Sequence, residues 1–481
     1  MKIENIDIET TLQRISKTLE EDKTISNSIR VLLHTVLILI NLLLNRVGLT
    51  SKNSSKPPSS DPNRKKKQRE NSGRKPGGQK GHPGRTLELV KNPDEIEELQ
   101  VDRSQLPKGN YKSSGYEVRQ VFDLEISTVV KEYRAEILKD ALGNRFIAEF
   151  PRGVTNRVQY GKGVKSHAVY LSRYQLLPYK RIEEYFSDQI GLPLSAGSIS
   201  LFNQESYNLL EDFEKSVQQK LIHSEMIHAD ETGINIGGNR CWLHGNSNKQ
   251  WTYLYPHERR GKIAMDEMGV LPFYHGKLCH DHWKPYYAYE KVTHLLCNAH
   301  HLRELERVWE QDKLQWGKTM KNFLIELNIE VDNAGGMLES SKAEEKRKEY
   351  RKILHEAERQ SPPPKPPPNT KKHRGRLKRT KARNLLERLQ KHEEEVLGFM
   401  VNKESPFTNN LGERDIRMTK VQQKISGCFR SMEGAKNFCR IRSYISSARK
   451  QNFSVSYALF AIFERQDIFV KKWGPGIQCF C

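Results

Sequence analysis

The chain has 481 residues and a formal net charge of +21, from 80 Lys and Arg residues against 59 Asp and Glu residues. That length predicts about three domains, and the basic balance favours a polyanionic partner, either nucleic acid or an anionic membrane face. The seven cysteines are odd in number and scattered, which argues against a disulfide framework and for a reducing compartment.

Two features argue against secretion and membrane insertion. The first residues, MKIENIDIET, are acidic and lack the apolar stretch of a signal peptide. The most apolar run, Val31 to Leu44, is shorter than the roughly 20 residues that a membrane-spanning helix needs. The sequence therefore predicts an intracellular protein that has no membrane partner.

Residues 1–50 predict an N-terminal helix with a coiled-coil seam. Apolar residues alternate at spacings of four and three, as Ile25, Ile29, Leu32, Val36, Leu39 and Leu43. Such spacing is typical of the a and d positions of a coiled coil. Two interpretations remain open, a helix that forms a homo-oligomer and an amphipathic helix that packs on its own chain.

Residues 51–90 predict a basic arm. Between Ser51 and Arg85 eleven basic residues face two acidic ones, and apolar residues are almost absent. Such a segment cannot bury a core, and basic arms bind nucleic-acid phosphates without reading sequence. A solvated linker is the alternative. The DNA-binding candidates in the arm are Lys65, Lys66, Lys67, Arg69, Arg74 and Lys75.

Two further segments precede the central part of the chain. Alternation in YEVRQVFDLEISTVVKEYRAEIL predicts strands of a small β module within residues 91–154. Residues 155–222 predict a helical domain in which the turn Gly191–Pro193 separates one helix from a second helix capped by Ser195. This spacing fits either a DNA-binding helix-turn-helix or an ordinary helical hairpin.

Residues 223–310 change character to short strands with helices between them. Three consecutive strands, followed by alternating strand and helix, indicate an α/β fold with a ribonuclease H-like core. Residues 311–404 are helical and charged and contain the proline-rich spacer SPPPKPPPNT, which indicates an α-helical insertion. The second part of the core and its basic helices are expected in residues 405–466, followed by a C-terminal tail, 467–481.

Three acidic residues are candidates for a metal-dependent active site. Asp230 and Asp281 lie in apolar strands, where a charge needs a partner or a metal. In the expected strand order these strands are neighbours, and Glu413, at the start of a later helix, would complete a Mg²⁺ site. The alternatives are Glu231 for the first acid, a supporting role for Asp281 beside His280 or His282, and, for the third acid, Asp415, Glu304 or Glu306.

Basic and metal-ligating residues surround these acids in the sequence. The helix after Glu413 carries four DNA-binding candidates, Arg414, Arg417, Lys420 and Lys424. A second cluster comprises Cys279, His280, His282, Cys297, His300 and His301, in which Cys297 and His300 have zinc-ligand spacing. The alternative is that these histidines order DNA phosphates or the carboxylates, with a cysteine buried in a strand.

The sequence resembles the bacterial insertion-sequence transposases of the IS66 family. The resemblance rests on HADETGINIGGNRCWLHG, LCHDHWKPYYAYEKVTHLLCNAHHLREL and NNLGERDIR, with NSSKPPSSD, EVRQVFDL and VQYGKGVKSHAVYLSRYQLLPY upstream, in order over almost the whole chain. It implies a DDE transposase in which Asp230, Asp281 and Glu413 hold two Mg²⁺ or Mn²⁺ ions. Cys297 and His300 match an accessory Cys-x-x-His pair of the family.

The resemblance implies strand cleavage at element ends and transfer of the freed 3′-hydroxyls into target DNA. The expected partners are double-stranded DNA and element-encoded accessory proteins, and the expected location is the bacterial cytoplasm, at the nucleoid. The alternatives are a catalytically inactive DNA-binding regulator of its own element and a structure-specific nuclease. Family members usually carry two Cys-x-x-Cys pairs near the β module, but no cysteine precedes Cys241 here, so zinc is not expected in that module.

Deleting Ser51–Arg85 tests whether the arm binds DNA. The deletion should weaken binding and flatten its salt dependence, because the slope of log K against log salt falls by about 0.9 for every phosphate that the protein no longer neutralises. Fluorescence anisotropy over a salt series measures both. An arm of unchanged length with its basic residues replaced by Gln should behave like the deletion, and an unchanged salt slope in either variant would contradict the assignment.

Overall fold

We describe the fold from a computed structural model, in which residues 2–3, 6–22, 24–47, 87–364, 377 and 379–469 are described. The basic arm, with Lys65, Lys66, Lys67, Arg69, Arg74 and Lys75, lies almost wholly outside these residues. By its internal contacts the chain divides into two units. One comprises Met1–Arg64, Pro151–Glu184 and Leu194–Cys481, and the other comprises Lys65–Phe150 and Tyr185–Pro193.

The N-terminal segment is helical, as the sequence predicted. A short antiparallel pair, β1 (Lys2–Ile3) and β2 (Ile6–Asp7), leads into helices α1 (Ile8–Glu21) and α2 (Asn27–Val47). On α2 the residues of the expected seam are exposed, namely Ile29, Leu32, Val36, Leu39 and Leu43, whereas Leu37 is buried. An exposed seam supports the homo-oligomer, which stays a prediction. No helix in the described part of the chain has the length and apolarity to cross a membrane.

The unit of residues 65–150 and 185–193 differs from the expected β module. Within its described residues, β3 (Ile137–Lys139) and β4 (Arg145–Ile147) form an antiparallel hairpin, and a 3₁₀ turn spans Arg103–Gln105. The strands expected over residues 116–136 were a wrong prediction, because these residues are unpaired. The alternation is present, but Val118, Leu124 and Val130 of its apolar face are all more than 60% exposed, so no layer covers that face.

A run of helices precedes the central sheet. They are α3 (Lys162–Val169), a π-helical turn at Tyr170–Tyr174, α4 (Tyr179–Gln189), α5 (Ala196–Leu209) and α6 (Glu211–Ile222). Ser195 caps α5 as expected, because its hydroxyl accepts a hydrogen bond from the Ser198 amide at 3.2 Å. The two helices of the possible helix-turn-helix are thus present, and its DNA-binding role stays a prediction.

A five-stranded mixed sheet forms the centre of the larger unit. Its strands are β5 (Met226–Ile236), β6 (Asn239–Ser247), β7 (Thr252–His257), β8 (Lys277–His280) and β9 (Thr293–Leu296), in the spatial order β7-β6-β5-β8-β9. Strands β5 to β7 are antiparallel, and β5, β8 and β9 are parallel. Gly237 and Gly238, both with positive φ, make the two-residue β5–β6 turn that such a hairpin favours.

Both faces of the sheet are covered, and strand alternation assigns each residue to a face. On β5, Ile227 and Ala229 pack with α6 and α7 (Lys262–Met268), whereas Ile234 and Ile236 pack on the other face. That second face is covered by α13 (Asn410–Ser426) and α14 (Met432–Lys450). Because successive side chains point to opposite faces, Asp230 shares the α13 face and Glu231 the α6 and α7 face.

The expected insertion is helical and has a core of its own. It comprises α9 (Gln315–Asn333), α10 (Ser340–Gln360), α11 (Lys381–Lys391) and α12 (Glu393–Leu397). Their buried residues cluster with Leu305 and Val308 of α8 (Asn298–Glu310), so the helical layer begins one helix before the insertion. Most of the basic part of the proline-rich linker, 365–376, lies outside the described residues.

The C-terminal helices use part of the basic charge inside the fold. Helix α14 precedes α15 (Val455–Glu464), and Arg440 of α14 forms a partly buried ion pair with Glu214 of α6 at 2.8 Å. Lys450 pairs with Asp415 at 2.5 Å. These two cations hold helices together, so they do not contribute to a basic surface on the C-terminal helices.

Candidate active site

The register of the parallel strands brings Asp230 and Asp281 together. Strands β5 and β8 pair Met226 with Lys277 and His228 with Cys279. Continued at the same offset, this register sets Asp230 beside Asp281. Strand β8 ends at His280, so Asp281 directly follows the strand instead of lying within it, as the sequence had predicted.

Asp230 is a half-buried carboxyl among other acids. Burial raises its pKa well above the ordinary value, and the nearby carboxylates of Glu231, Asp281 and Glu413 raise it further. Little offsets this destabilisation of the charged carboxylate, because Oδ1 of Asp230 accepts one hydrogen bond, from the Glu231 amide at 2.9 Å. Such a group is stabilised either by a proton or by a cation that several carboxylates share.

Glu231, the alternative first ligand, is already engaged on the opposite face of β5. The Arg260 guanidinium pairs with its Oε1 at 2.5 Å, and the Tyr286 hydroxyl donates to its Oε2 at 2.6 Å. Burial, followed by the charge of Asp281, still raises the pKa of Glu231. These contacts favour Asp230 over Glu231 as the metal ligand.

Asp281 faces a cavity of about 200 Å³, which is also lined by His282, Trp283, Leu296, Cys297, His300, His301, Glu304 and Arg388. Burial raises its pKa, although the Trp283 amide donates to its Oδ1 at 2.9 Å. His280, which the sequence suggested as its partner, contacts the Asp281 backbone carbonyl through Nδ1, and its Nε2 lies 3.0 Å from Nδ1 of His294. Burial lowers the pKa of His280 and of His282 to about 3, so both rings are neutral.

Glu413 lies in the first turn of α13, at the N-terminal helix position that the sequence predicted. The three competing acids are paired elsewhere, Asp415 with Lys450, Glu306 with Lys321 and Glu304 with Arg388. Oε1 of Glu413 is buried and has no hydrogen-bond partner among the described residues. Glu413 also lies close enough to Asp230 to raise the pKa of that carboxyl. Of the four candidates for the third acid, Glu413 is therefore the best placed.

Asn409, which sequence reasoning had not singled out, fixes the start of α13. Its side-chain amide donates to the Ala229 carbonyl at 2.8 Å, and its Oδ1 accepts a hydrogen bond from Nδ1 of His228 at 2.8 Å. Its backbone amide donates to Sγ of Cys297 at 3.1 Å. A single residue thus joins the strand of Asp230, the end of β9 and the helix of Glu413.

Cys297 and His300, the predicted accessory pair, lie beside Glu413. Their ligand atoms and those of Glu413 are all within 4.8 Å of one another. Burial raises the pKa of the Cys297 thiol to about 11, and burial lowers the pKa of His300 to about 4. By contrast, Cys279 and His301 of the same sequence cluster are buried and do not join this group.

The predicted basic residues of α13 form one exposed stripe. At 100° per residue, Arg414, Arg417, Lys420 and Lys424 fall within about 120° of helix surface. Glu413 lies on the same side, while Ile416 and Thr419 point into the protein. Lys420 donates to the Gly233 carbonyl. This stripe leads away from the acidic site.

Family models match two separate parts of the chain. One, described as the IS66 transposase family, matches residues 157–437, more than half of the chain, and includes all three acids. Another, a family of unknown function (DUF6444), matches residues 9–88. No curated protein matches the chain.

The match to the IS66 family model places the protein among the transposases, a class of DNA-processing enzymes. Within that class the chain belongs to the IS66 transposase family. Membership implies DNA as a partner and the use of divalent metal in general. The predicted resemblance is therefore confirmed.

Replacing Asn409 with Ala should destabilise the protein. The substitution leaves the Ala229 carbonyl and Nδ1 of His228 buried without partners, at a cost of about 2–4 kcal/mol in the free energy of unfolding. Chemical denaturation measures the loss. The matched control is Asn410→Ala at the exposed neighbouring position, where we expect a change within about 0.5 kcal/mol. Equal stability of the two variants would rule out this role for Asn409.

Replacing Asp230 with Asn should make stability less dependent on pH and metal. Because the folded-state pKa of Asp230 is raised, its stabilising contribution is complete at low pH and is lost as pH rises through that pKa. Without metal, Asp230→Asn should therefore melt about 2 °C or more above the parent at pH 8 and close to it below the ordinary carboxyl pKa of 3.8.

Mg²⁺ or Mn²⁺ should raise the melting temperature of the parent at pH 8 and that of Asp230→Asn much less. The matched control is Asp332→Asn on the exposed surface of α9, which should leave the metal response unchanged. An identical metal response in the parent and in Asp230→Asn would exclude Asp230 as a ligand.

Proposed function

We propose that this chain is a DDE transposase that cleaves DNA strands at the ends of its element and joins the freed 3′-hydroxyls to target DNA. The observation that carries the proposal is the gathering of Asp230, Asp281 and Glu413, from three separate segments, around one partly buried position. The strand order β7-β6-β5-β8-β9 supports it, because this is the order expected for a ribonuclease H-like sheet.

The three carboxylates fit a site for two Mg²⁺ or Mn²⁺ ions. Hard cations prefer oxygen ligands, and the mutual repulsion that raises the pKa of Asp230 is relieved when a cation is shared. When bound, such ions activate the attacking oxygen and stabilise the leaving one in an in-line phosphoryl transfer. Asp230 and Asp281 would hold them from the sheet, and Glu413 from α13.

The residues of the chain would position the DNA around that site. The stripe of Arg414, Arg417, Lys420 and Lys424 begins one residue after Glu413, so it would contact phosphates next to the scissile one. The basic arm would add affinity that does not depend on sequence. Asn409 would hold the helix of Glu413 against the strand of Asp230.

Replacing the three acids one at a time tests the mechanism. Asp230→Asn, Asp281→Asn and Glu413→Gln should each lower cleavage by about 1000-fold or more, since losing a metal ligand removes several kcal/mol of transition-state stabilisation. The assay uses a duplex carrying the element's own ends, with Mg²⁺ or Mn²⁺, and separates nicked from joined products on gels. DNA binding, measured in parallel, should remain.

The matched controls are Glu304→Gln and Glu306→Gln, whose carboxylates are paired with Arg388 and Lys321. Both should keep cleavage within about tenfold of the parent. Full activity in all three acid variants would exclude the mechanism. Binding without cleavage by the parent would instead support the inactive regulator, and cleavage without joining would support the nuclease.

A further inference from the structure

Three ligand atoms of different chemistry meet at the starts of two helices. Cys297 is the N-cap of α8 and is buried at the end of β9, and His300 lies one turn further along the same helix. Glu413 approaches from the first turn of α13. The sulfur, nitrogen and oxygen atoms all lie within 4.8 Å of one another.

Two of these atoms face each other without making a bond. Nδ1 of His300 and Oε1 of Glu413 are 4.0 Å apart, and neither has a hydrogen-bond partner among the described residues. That separation is too long for a direct hydrogen bond, which needs about 2.7–3.2 Å. Buried polar atoms without partners are rare, and an unplaced ion is one recognised explanation.

The spacing suits a bound metal ion. The midpoint of the 4.0 Å gap lies about 2.0 Å from each atom, which matches the bond lengths from Zn²⁺ to nitrogen and oxygen. A small side-chain rotation would close the gap to the ~3.4 Å that two ligands have in a tetrahedral site. The sulfur of Cys297 is within reach as the third ligand.

The donor set selects the class of metal. Mg²⁺ and Mn²⁺ prefer oxygen ligands, whereas a set of thiolate, imidazole and carboxylate is typical of Zn²⁺. We propose that Cys297, His300 and Glu413 form a site for Zn²⁺ or another thiophilic divalent ion, with the fourth position open. The site shares Glu413 with the proposed catalytic acids but rests on its own contacts.

One neighbour competes for the same carboxylate. Nη2 of Arg303 lies 3.9 Å from Oε1 of Glu413, while its Nε donates to the Ala299 carbonyl. The distance from the Arg303 guanidinium to Glu413 is too long for a hydrogen bond. The Arg303 side chain is partly exposed, so it can turn toward solvent when an ion binds. Binding would then join α8 to α13 through Glu413.

Cobalt binding to the full-length protein tests the site, because Co²⁺ takes zinc ligands and reports thiolate ligation in its absorption spectrum. Chelator-treated protein should develop a sulfur-to-cobalt charge-transfer band on adding Co²⁺, with an intensity that corresponds to one thiolate-ligated ion, and Zn²⁺ should abolish the band. Cys297→Ser should remove the band and weaken Zn²⁺ binding about 100-fold or more, since loss of even an outer-shell partner costs about 10–100-fold.

The matched control is Cys428→Ser, a half-buried cysteine outside the cluster, which should leave the band and the affinity unchanged. If Cys297→Ser does not fold, His300→Gln serves instead, because Nδ1 of His300 makes no hydrogen bond within the described chain. Absence of the band in the parent, or a band that survives in both Cys297→Ser and His300→Gln, would overturn the proposal. Neither the absorption band nor the Zn²⁺ affinity depends on DNA cleavage, so the site can be tested even in a protein that does not cleave DNA.

Discussion

The arrangement of the site depends on the hydrogen bonds of one side chain, the amide of Asn409. Its donor and acceptor atoms are both used, on the Ala229 carbonyl and on His228, and its backbone reaches Cys297. The segment between β9 and α13 includes the whole insertion, more than 100 residues. After so long an insertion, α13 needs a specific anchor to place Glu413 next to the sheet. Packing alone tolerates small shifts of a helix, whereas ligands that share a metal ion do not.

The anchor acts against a considerable electrostatic cost. Asp230, Glu231 and Asp281 are all partly buried, and burial raises the pKa of each. Because successive strand residues point to opposite faces, the carboxylates of Asp230 and Glu231 lie on different sides of the sheet. Glu231 receives Arg260 and Tyr286 on one face, whereas Asp230 is left with a single amide donor on the other. The uncompensated carboxyl is therefore the one that faces the helix of Glu413, as a cation-binding site requires.

The net charge of +21 does not describe a uniformly basic surface. Part of the charge of the C-terminal helices is internal, because Arg440 and Lys450 neutralise Glu214 and Asp415 and join α14 to its neighbours. The basic stripe of α13 remains exposed, beginning at the acidic site. A count of lysines and arginines by segment cannot separate these two uses, since both occur on the same helices at spacings of a few residues.

Many of the secondary-structure elements could be predicted from the sequence, because strands, helices and caps follow from local residue patterns. The strand of Asp230, the helix start at Glu413 and the Ser195 cap were predicted to within a few residues. The strands expected over residues 116–136 failed for a non-local reason, since alternation yields a sheet only where another layer covers the apolar face. Tertiary structure alone decided which acids are paired, which cations are internal, and that Asn409 holds two distant segments together. Those outcomes depend on contacts between residues far apart in the chain, and neither composition nor spacing carries that information.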